Sequence, residues 1–363
     1  MKESILKSKL SISALNIGAG TPTDAGMSFR GETTHPNPIQ IAGGIPDFPT
    51  LPVSDFTQML EQASLEETEG SYNYGGWFGY DGLREQIAKR QTVLDRKKLK
   101  LDNFIVHNGS SGALENICKT LLDPKDVVIV EQPSYSGTVR AIRGFNCDVV
   151  EVKMNKDGID IAELKSTISN LKNNGKNIKF IYTIPDFHNP TGILTSDKVK
   201  TELCKIASSE DIFIVEDATY SELYFHEKQP TPLFSLDNSN KVIKLGTFSK
   251  IISTGIRVGW IQAHESIIQA CSQTRFDMGN SPLIHRALSL YLSNDLLDDH
   301  VNEMRQIYRQ KMEFFTENLI NNSQNLHSKP LNCKNNCRKK ILNKFSKTYY
   351  NNDSWIKKFS SQR

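Results

Sequence analysis

Long apolar runs are what this chain most plainly lacks. No segment approaches the ~20 apolar residues that a membrane-crossing helix needs, so a helical membrane span is not expected. Cysteine is sparse, six residues in 363, too few for a disulfide framework in a chain of this size. Cys118, Cys147, Cys204 and Cys271 stand singly in apolar segments, as buried thiols in a reducing compartment do. Cys333 and Cys337 are spaced C-x3-C with only His327 near them and no second ligand pair, so no metal site is expected. There is no internal repeat of solenoid or propeller period. The opening MKESILKSKLSIS is basic and serine-rich but has no arginine and contains Glu3, which favours a frayed leader over a mitochondrial transit peptide. A cytoplasmic location is the expectation, with a mitochondrial one as the alternative.

Charge is unevenly spread. The net +3 conceals a tail, residues 321–363, in which ten Lys and Arg face a single acid, Asp353. The remaining 1–320 hold 34 basic and 40 acidic residues, a balance of −6. The body is mildly acidic, so the basic total gives no reason to expect nucleic-acid binding.

What is present is alternation. FIVHN (104–108), VVIVE (127–131), DVVEVKM (148–154), IKFIYTIP (178–185), IFIVED (212–217), KVIKLGTFS (241–249) and VGWIQA (258–263) read as strands. Helix-length amphipathic segments separate several of them: SGALENICKTLL (111–122), SGTVRAIR (136–143), IAELKSTISNLKNN (161–174) and DKVKTELCKIASS (197–209). Short Val- and Ile-rich runs between such helices predict an α/β fold with a mostly parallel sheet covered on both faces. Ligands of such sheets bind in loops beyond the strand carboxyl ends. After Asp295, Val301, Met304, Tyr308, Met312, Phe315 and Leu319 recur every three or four residues and predict one long helix.

One stretch is hard to explain as scaffold. GTFSKIISTGIRVGW (246–260) sets Lys250 among Thr247, Ser249, Ser253 and Thr254, with Arg257 seven positions on. A lysine that attacks a carbonyl must be partly desolvated and neutral part of the time, and the hydroxyls and arginine suit a dianion beside it. An exposed loop lysine would look the same over these fifteen residues alone. Four other segments bear on the choice. NGSSGALEN (108–116) places Ser110, Ser111 and Gly112 at a helix start after a strand, a place for a phosphate or for an ordinary N-cap. Asp217 ends a buried strand, where a carboxylate needs a cationic partner or caps the next turn, and Tyr220 follows it either as a hydroxyl donor or as packing. IPDFHNPTGIL (184–194) presents the Asn189 amide on a turn; His188 beside it has nothing to mark it as a base. Tyr135, in EQPSYSG (131–137), stacks on a flat cofactor or belongs to the core.

Together with IAGGIPDFPTLP (41–52) and YNYGGWFGYDGLREQIAKR (72–90), these motifs resemble the fold type I, class I/II aminotransferases, and within them the 2-aminoadipate/kynurenine and fungal aromatic subgroup. The likeness runs from about Ile39 to Asn321. It implies pyridoxal phosphate as cofactor and transamination between an amino acid and a 2-oxo acid, with an aromatic or 2-aminoadipate-like substrate favoured. It implies Lys250 as the lysine that binds the cofactor covalently and then shuttles the substrate's α-proton. Asp217 would pair with the ring nitrogen, Asn189 and Tyr220 would hold the ring hydroxyl oxygen, and Tyr135 would stack on the ring. Ser110, Ser111, Gly112, Thr247, Ser249 and Arg257 would form the phosphate site, and Gly43, Gly44 and Asn189 the substrate side. Tyr74 would reach the neighbouring subunit's phosphate, implying a homodimer with shared sites. Carbon–sulfur lyases share this lysine site. A regulator's effector domain shares the fold, but the 38 residues ahead of the likeness are too few for a winged helix-turn-helix and lack its pattern.

The domain plan that follows is a leader over 1–38, a large cofactor-binding domain over 39–295, a connecting helix over 296–321 and an atypical tail over 322–363. Family members continue into a small C-terminal domain with a glycine-rich segment and an arginine for the substrate carboxylate. Neither motif is found here, and Arg338 and Arg363 stand in Lys/Asn-rich surroundings. The tail reads as text from another frame or a retained intron joined near Asn321, or else as a real segment that binds something acidic. A working transaminase and an impaired cofactor-binding remnant are therefore both expectations. With nine Asn in 43 residues and weak apolar periodicity, the tail cannot bury enough surface to offset chain entropy. Hydrogen exchange is expected to leave 321–363 unprotected while 104–263 stay protected; a protected tail would show a divergent small domain instead.

Overall fold

Side-chain alternation along each strand decides what the sheet buries. In the computed structural model, which describes residues 8–16, 44–225 and 227–325, Val127, Val128, Ile129 and Val130 are all fully buried. Val128 and Val130 join one hydrophobic cluster while Val127 and Ile129 join another on the opposite face. The run is continuously apolar because both faces are covered.

Eight strands form the sheet: β1 (Phe104–Asn108), β2 (Val127–Gln132), β3 (Asp148–Asn155), β4 (Gly158–Ile159), β5 (Ile178–Thr183), β6 (Phe213–Asp217), β7 (Val242–Thr247) and β8 (Val258–Gln262). Their spatial order is β1-β8-β7-β6-β5-β2-β3-β4. The pairs β3–β2, β2–β5, β5–β6 and β6–β7 are parallel, whereas β8 runs antiparallel to both neighbours, β7 and β1. The mostly parallel sheet expected from the sequence is present, and the reversal of β8 is the feature its pattern did not reveal. A fully buried strand reads as the same apolar run in either direction.

The major helices are α1 (Val53–Glu66), α2 (Asp81–Asp95), α3 (Gly109–Leu121), α4 (Ser136–Arg143), α5 (Ile161–Asn173), α6 (Asp197–Glu210), α7 (Glu265–Thr274), α8 (Pro282–Ser293) and α9 (Leu296–Asn325). Leu114 and Ile117 of α3, Val139 and Ile142 of α4 and Ile268 of α7 fill the first cluster. Leu164 and Ile168 of α5 with Leu203 and Ile206 of α6 fill the second. Burying each such side chain contributes ~1.5–3 kcal/mol, so these faces dominate the stability of the frame. Helices α5 and α6 begin at side-chain caps: Asp160 accepts from the Ala162 and Glu163 amides, and Ser196 from Val199.

Within the expected leader, residues 8–16 include a short helix, Ile12–Asn16, and Ser13 donates to the Gly144 carbonyl. The long helix expected after Asp295 is α9, on which Val301 and Met304 are buried while Phe315 is about half exposed. Two compact units divide the chain at Asp298/Asp299. Gly43, His327, Cys333, Cys337, Arg338 and Arg363, and residues 326–363 of the tail expected in place of a small domain, lie outside the described residues.

A buried ion pair ties α2 to the sheet. Lys244 of β7 donates to Asp95 and to Gln91, both on α2, and Gln262 of β8 donates to the other oxygen of Asp95. Burial alone would lower the Lys244 pKa, but Asp95 and Glu216 outweigh it and raise it. Lys244→Met would strand the Asp95 carboxylate without its cation. It is expected to destabilise the protein by ~3–5 kcal/mol in urea unfolding, with much of the loss recovered in Lys244→Met/Asp95→Leu; additive single effects would refute the coupling.

Candidate active site

Lys250 lies in the turn after β7. Its Nζ donates to the Gly44 carbonyl at 2.7 Å and stands 6.0 Å from the centre of the Tyr220 ring. Burial pushes its pKa below the ordinary lysine value; Asp217 opposes the shift and Arg257 adds to it. The amine is thus partly desolvated and feels both a carboxylate and a guanidinium, an environment that would suit a nucleophilic amine. The turn that carries it is braced from below. The buried Thr247 hydroxyl lies 2.9 Å from Ser249 Oγ and 3.1 Å from the Val258 carbonyl, and accepts from the Ser249 amide at 3.1 Å.

Asp217, at the end of β6, was expected either to need a cation or to cap the next turn. The structure shows the turn cap, together with a further neutral donor. Tyr182 donates to Oδ2 at 2.6 Å, and the Thr219 amide and hydroxyl both donate to Oδ1. Thr138, in the first turns of α4, donates to the Tyr182 hydroxyl at 3.0 Å. Burial, reinforced by Asp217, drives the Tyr182 pKa well above its usual value, so this phenol keeps its proton and stays a donor. A carboxylate offers about four lone-pair sites, which leaves room on Asp217 for one further donor. Neither Tyr182, Thr219 nor Thr138 was picked out from the sequence. In IKFIYT, Tyr182 reads as one more core residue, and only the β5–β6 register, with Tyr182 opposite Val215, brings its hydroxyl to Asp217.

A third group forms where α3 meets the start of β8. Arg257 Nη2 donates to the Asn108 carbonyl at 3.1 Å and to Ser111 Oγ at 3.2 Å. Unlike α5 and α6, α3 has no side-chain cap at its N-terminus, so the amides of its first turn have no such acceptor. Close approach depends on missing side chains: a Cβ on Gly259 would fall 2.6 Å from the Ser110 nitrogen, and one on Gly109, whose φ is +70°, would fall 2.6 Å from Arg257 Nη2. Free amides, the helix dipole, a serine and an arginine make a cradle for an anion. Gly112 lies one turn along the same helix.

Asn189 sits on the turn after β5, and its neighbours are anchored inward. Asp186 takes the buried Lys200 ammonium at 2.6 Å. His188 Nδ1 lies 2.9 Å from Thr191 Oγ1, and its Nε2 lies 3.2 Å from Glu131 without hydrogen-bond alignment. His188 is buried and bound to scaffold, which fits a loop anchor and not a base. Tyr135 begins α4, its ring packed over Gly137. Tyr74 stands apart from these groups in an exposed loop, 77% accessible.

The site therefore offers an anion cradle, a half-desolvated amine and a fixed carboxylate at one edge of a sheet, which fits a flat carbonyl compound with a phosphate at one end and a basic ring nitrogen. The glycine-lined cradle, where a Cβ would collide, and the uncapped helix suit pyridoxal phosphate. Comparisons agree with this reading. Residues 38–333 match the family described as Aminotransferase class I and II. An uncharacterized aminotransferase of Saccharolobus solfataricus is 30% identical over 286 residues, 77% of this chain and 71% of that protein. An aromatic-amino-acid aminotransferase of Thermococcus litoralis is 28% identical, covering 76% of this chain and 66% of that protein. The crystal structure of Pyrococcus horikoshii kynurenine aminotransferase, in complex with PMP, superposes with a TM-score of 0.78 at 26% identity over 87% of this chain and 78% of that one. With its family match spanning most of the chain, this protein belongs to the class I and II aminotransferases and is a pyridoxal phosphate-dependent transaminase.

Proposed function

We propose that Lys250, Asp217 and the Arg257 cradle divide the work of transamination among them, and that the substrate is an aromatic or 2-aminoadipate-like amino acid exchanged with a 2-oxo acid. The observation that carries the division is the placement of the Lys250 amine, desolvated by burial and subject to the opposing charges of Asp217 and Arg257. When bound, pyridoxal phosphate supplies the aldehyde that takes up the amino group and the ring that withdraws electrons from the α-carbon. Lys250 Nζ would supply the amine for that aldehyde and would hold and return the α-proton. Asp217 would hold the ring nitrogen, with Tyr182 and Thr219 keeping the carboxylate in place. Arg257, Ser110, Ser111 and the first amides of α3 would hold the phosphate, while Thr247 and Ser249 brace the lysine turn. Asn189 and Tyr220 would orient the ring oxygen, Tyr135 would cover the ring, and Gly44 would line the substrate side beside the lysine. The substrate preference rests on relatives that act on aromatic amino acids, kynurenine and 2-aminoadipate.

A homodimer is part of this proposal. Tyr72, Tyr74, Trp77 and Phe276 expose large aromatic surface on one chain, and such surface is commonly covered by a partner. Sedimentation should give twice the monomer mass, and Tyr74→Phe should weaken cofactor binding if the hydroxyl serves the neighbouring site. A biosynthetic role and a cytoplasmic location complete the proposal; the location accords with four buried free thiols, whose pKa values burial lifts, to about 12 for Cys204 and about 11 for Cys271. The second reading, a cofactor-binding remnant, keeps the same lysine chemistry; it predicts cofactor capture without turnover across a panel of amino acids.

Borohydride reduction of the protein with pyridoxal phosphate, followed by peptide mapping, should place the label on Lys250; label elsewhere would sink the assignment. The pH dependence of that capture follows from the charges around the amine. The neutral form captures, so the rate should rise with pH and reach its midpoint below that of an ordinary lysine. Removing a neighbouring cation, as in Arg257→Gln, should move the midpoint up, and removing an anion, as in Asp217→Asn, should move it down. Shifts of the opposite sign would contradict the electrostatic account.

Asp217→Ala should permit capture but slow α-proton removal in single-turnover half-reactions by orders of magnitude. Tyr182→Phe, which removes one donor to a charged group, should slow the same step roughly ten- to a hundredfold. Unchanged rates in either variant would remove that residue from the mechanism.

A further inference from the structure

Arg257 is not a self-supporting anchor. It immediately precedes β8 with φ +53°, in the left-handed region that side chains other than glycine seldom adopt. Such a conformation persists where surrounding contacts over-determine it. Its guanidinium reaches Thr254, Asn108 and Ser111, but its backbone is held from another direction: Asn280 Nδ2 donates to the Arg257 carbonyl at 3.3 Å.

The orientation of the Asn280 amide follows from its two partners. Its Oδ1 accepts from Arg275 Nη2 at 2.9 Å, and an arginine can only donate. Its nitrogen therefore faces the Arg257 carbonyl, which can only accept. Arg275 is itself buried and fully engaged. It donates to the Val106 carbonyl at 2.6 Å, to the Trp77 carbonyl at 3.2 Å and through two nitrogens to Asp277. Val106 lies in β1, two residues before Asn108, whose carbonyl receives the Arg257 guanidinium. Trp77 lies in the loop that carries Tyr74. One buried arginine thus ties the strand leading into the cradle, the Tyr74 loop and, through Asn280, the backbone of the cradle's arginine.

We propose that Asn280 is a positioning residue for phosphate recognition: held by Arg275, it fixes the left-handed peptide of Arg257 so that the guanidinium stays over the N-terminus of α3. The inference rests on the reading that Arg257 and α3 receive the cofactor's phosphate. A role of this kind acts first on the phosphate; because Arg257 also lowers the Lys250 pKa, affinities are compared at a pH where capture by Lys250 has reached its plateau. The role predicts a loss confined to ligands that carry a phosphate.

The test uses the full chain and compares the affinities of pyridoxal phosphate and pyridoxal, at high salt to screen added charge, in Asn280→Asp, Asn280→Ala and Arg257→Gln. Asn280→Asp keeps an acceptor for Arg275 and turns the donor to Arg257 into a second acceptor, whereas Asn280→Ala removes the donor without adding charge; a cooperative thermal transition identifies the folded variants. Both Asn280 variants should bind pyridoxal phosphate roughly three- to tenfold more weakly, the scale of one hydrogen bond, with pyridoxal affinity unchanged. Should Asn280→Ala fail to fold, Asn280→Asp carries the comparison. Equal losses for the two ligands, or none for either, in folded Asn280→Asp would overturn the role of Asn280. An unchanged preference for the phosphorylated ligand in Arg257→Gln would overturn the phosphate-site reading on which it rests.

Discussion

The antiparallel pairing of β8 between β7 and β1 is the constraint on which the site depends. In a wholly parallel sheet the residue preceding a strand lies at the edge opposite the residue following one. Because β8 is reversed, Val258 at its start pairs with Asn108 at the end of β1, and Gly259 pairs with Thr247 at the end of β7. Arg257 is thereby delivered to the same edge as Lys250 and the N-terminus of α3. The close approach then needs Gly259 and Gly109, because any side chain there would occupy the space of the helix amides or the guanidinium.

Electrostatics follow from that geometry. A lysine amine is useful here only if its neutral form is within reach, and desolvation supplies the larger part of the required shift. Asp217 works in the other direction, so the amine remains accessible to protons as well as able to lose them. That balance needs a carboxylate that does not wander. Tyr182 and Thr219 hold it, and Thr138 extends the bonding into α4, so a core tyrosine with a strongly raised pKa acts as a permanent donor to the Asp217 carboxylate.

Polar side chains sealed inside the frame serve the same end at a distance. Lys244 and Asp95 join α2 to the sheet, Lys200 and Asp186 anchor the loop of Asn189, and Arg275 collects carbonyls from two segments. Each pair is costly to desolvate and costly to break, which makes it a better determinant of position than of stability. The active edge is assembled from loops, and loops keep their geometry only where such bonds hold them.

The strands, the principal helices between them and the long helix after Asp295 were legible in the sequence because burial on both faces writes continuous apolar runs and helical packing writes a period near 3.6. Lys250, Arg257, Asp217 and the serines of α3 could be singled out as candidates, because a charged or hydroxylated residue at the end of a buried run carries a desolvation cost; the roles expected of them came from the family resemblance, and the sheet brings Arg257, Lys250 and the start of α3 to one edge. Tyr182, Thr219, Arg275 and Asn280 were not legible. Their significance lies, Thr219 aside, in hydrogen bonds to partners distant in the chain: Asp217 is 35 residues from Tyr182, Arg257 is 23 from Asn280, and Val106 and Trp77 are 169 and 198 from Arg275. A local pattern records whether a residue is buried, but not which strand lies beside it or which way that strand runs. The direction of β8 and the partners of each buried polar group were decided only when the tertiary pairing of strands brought them into contact.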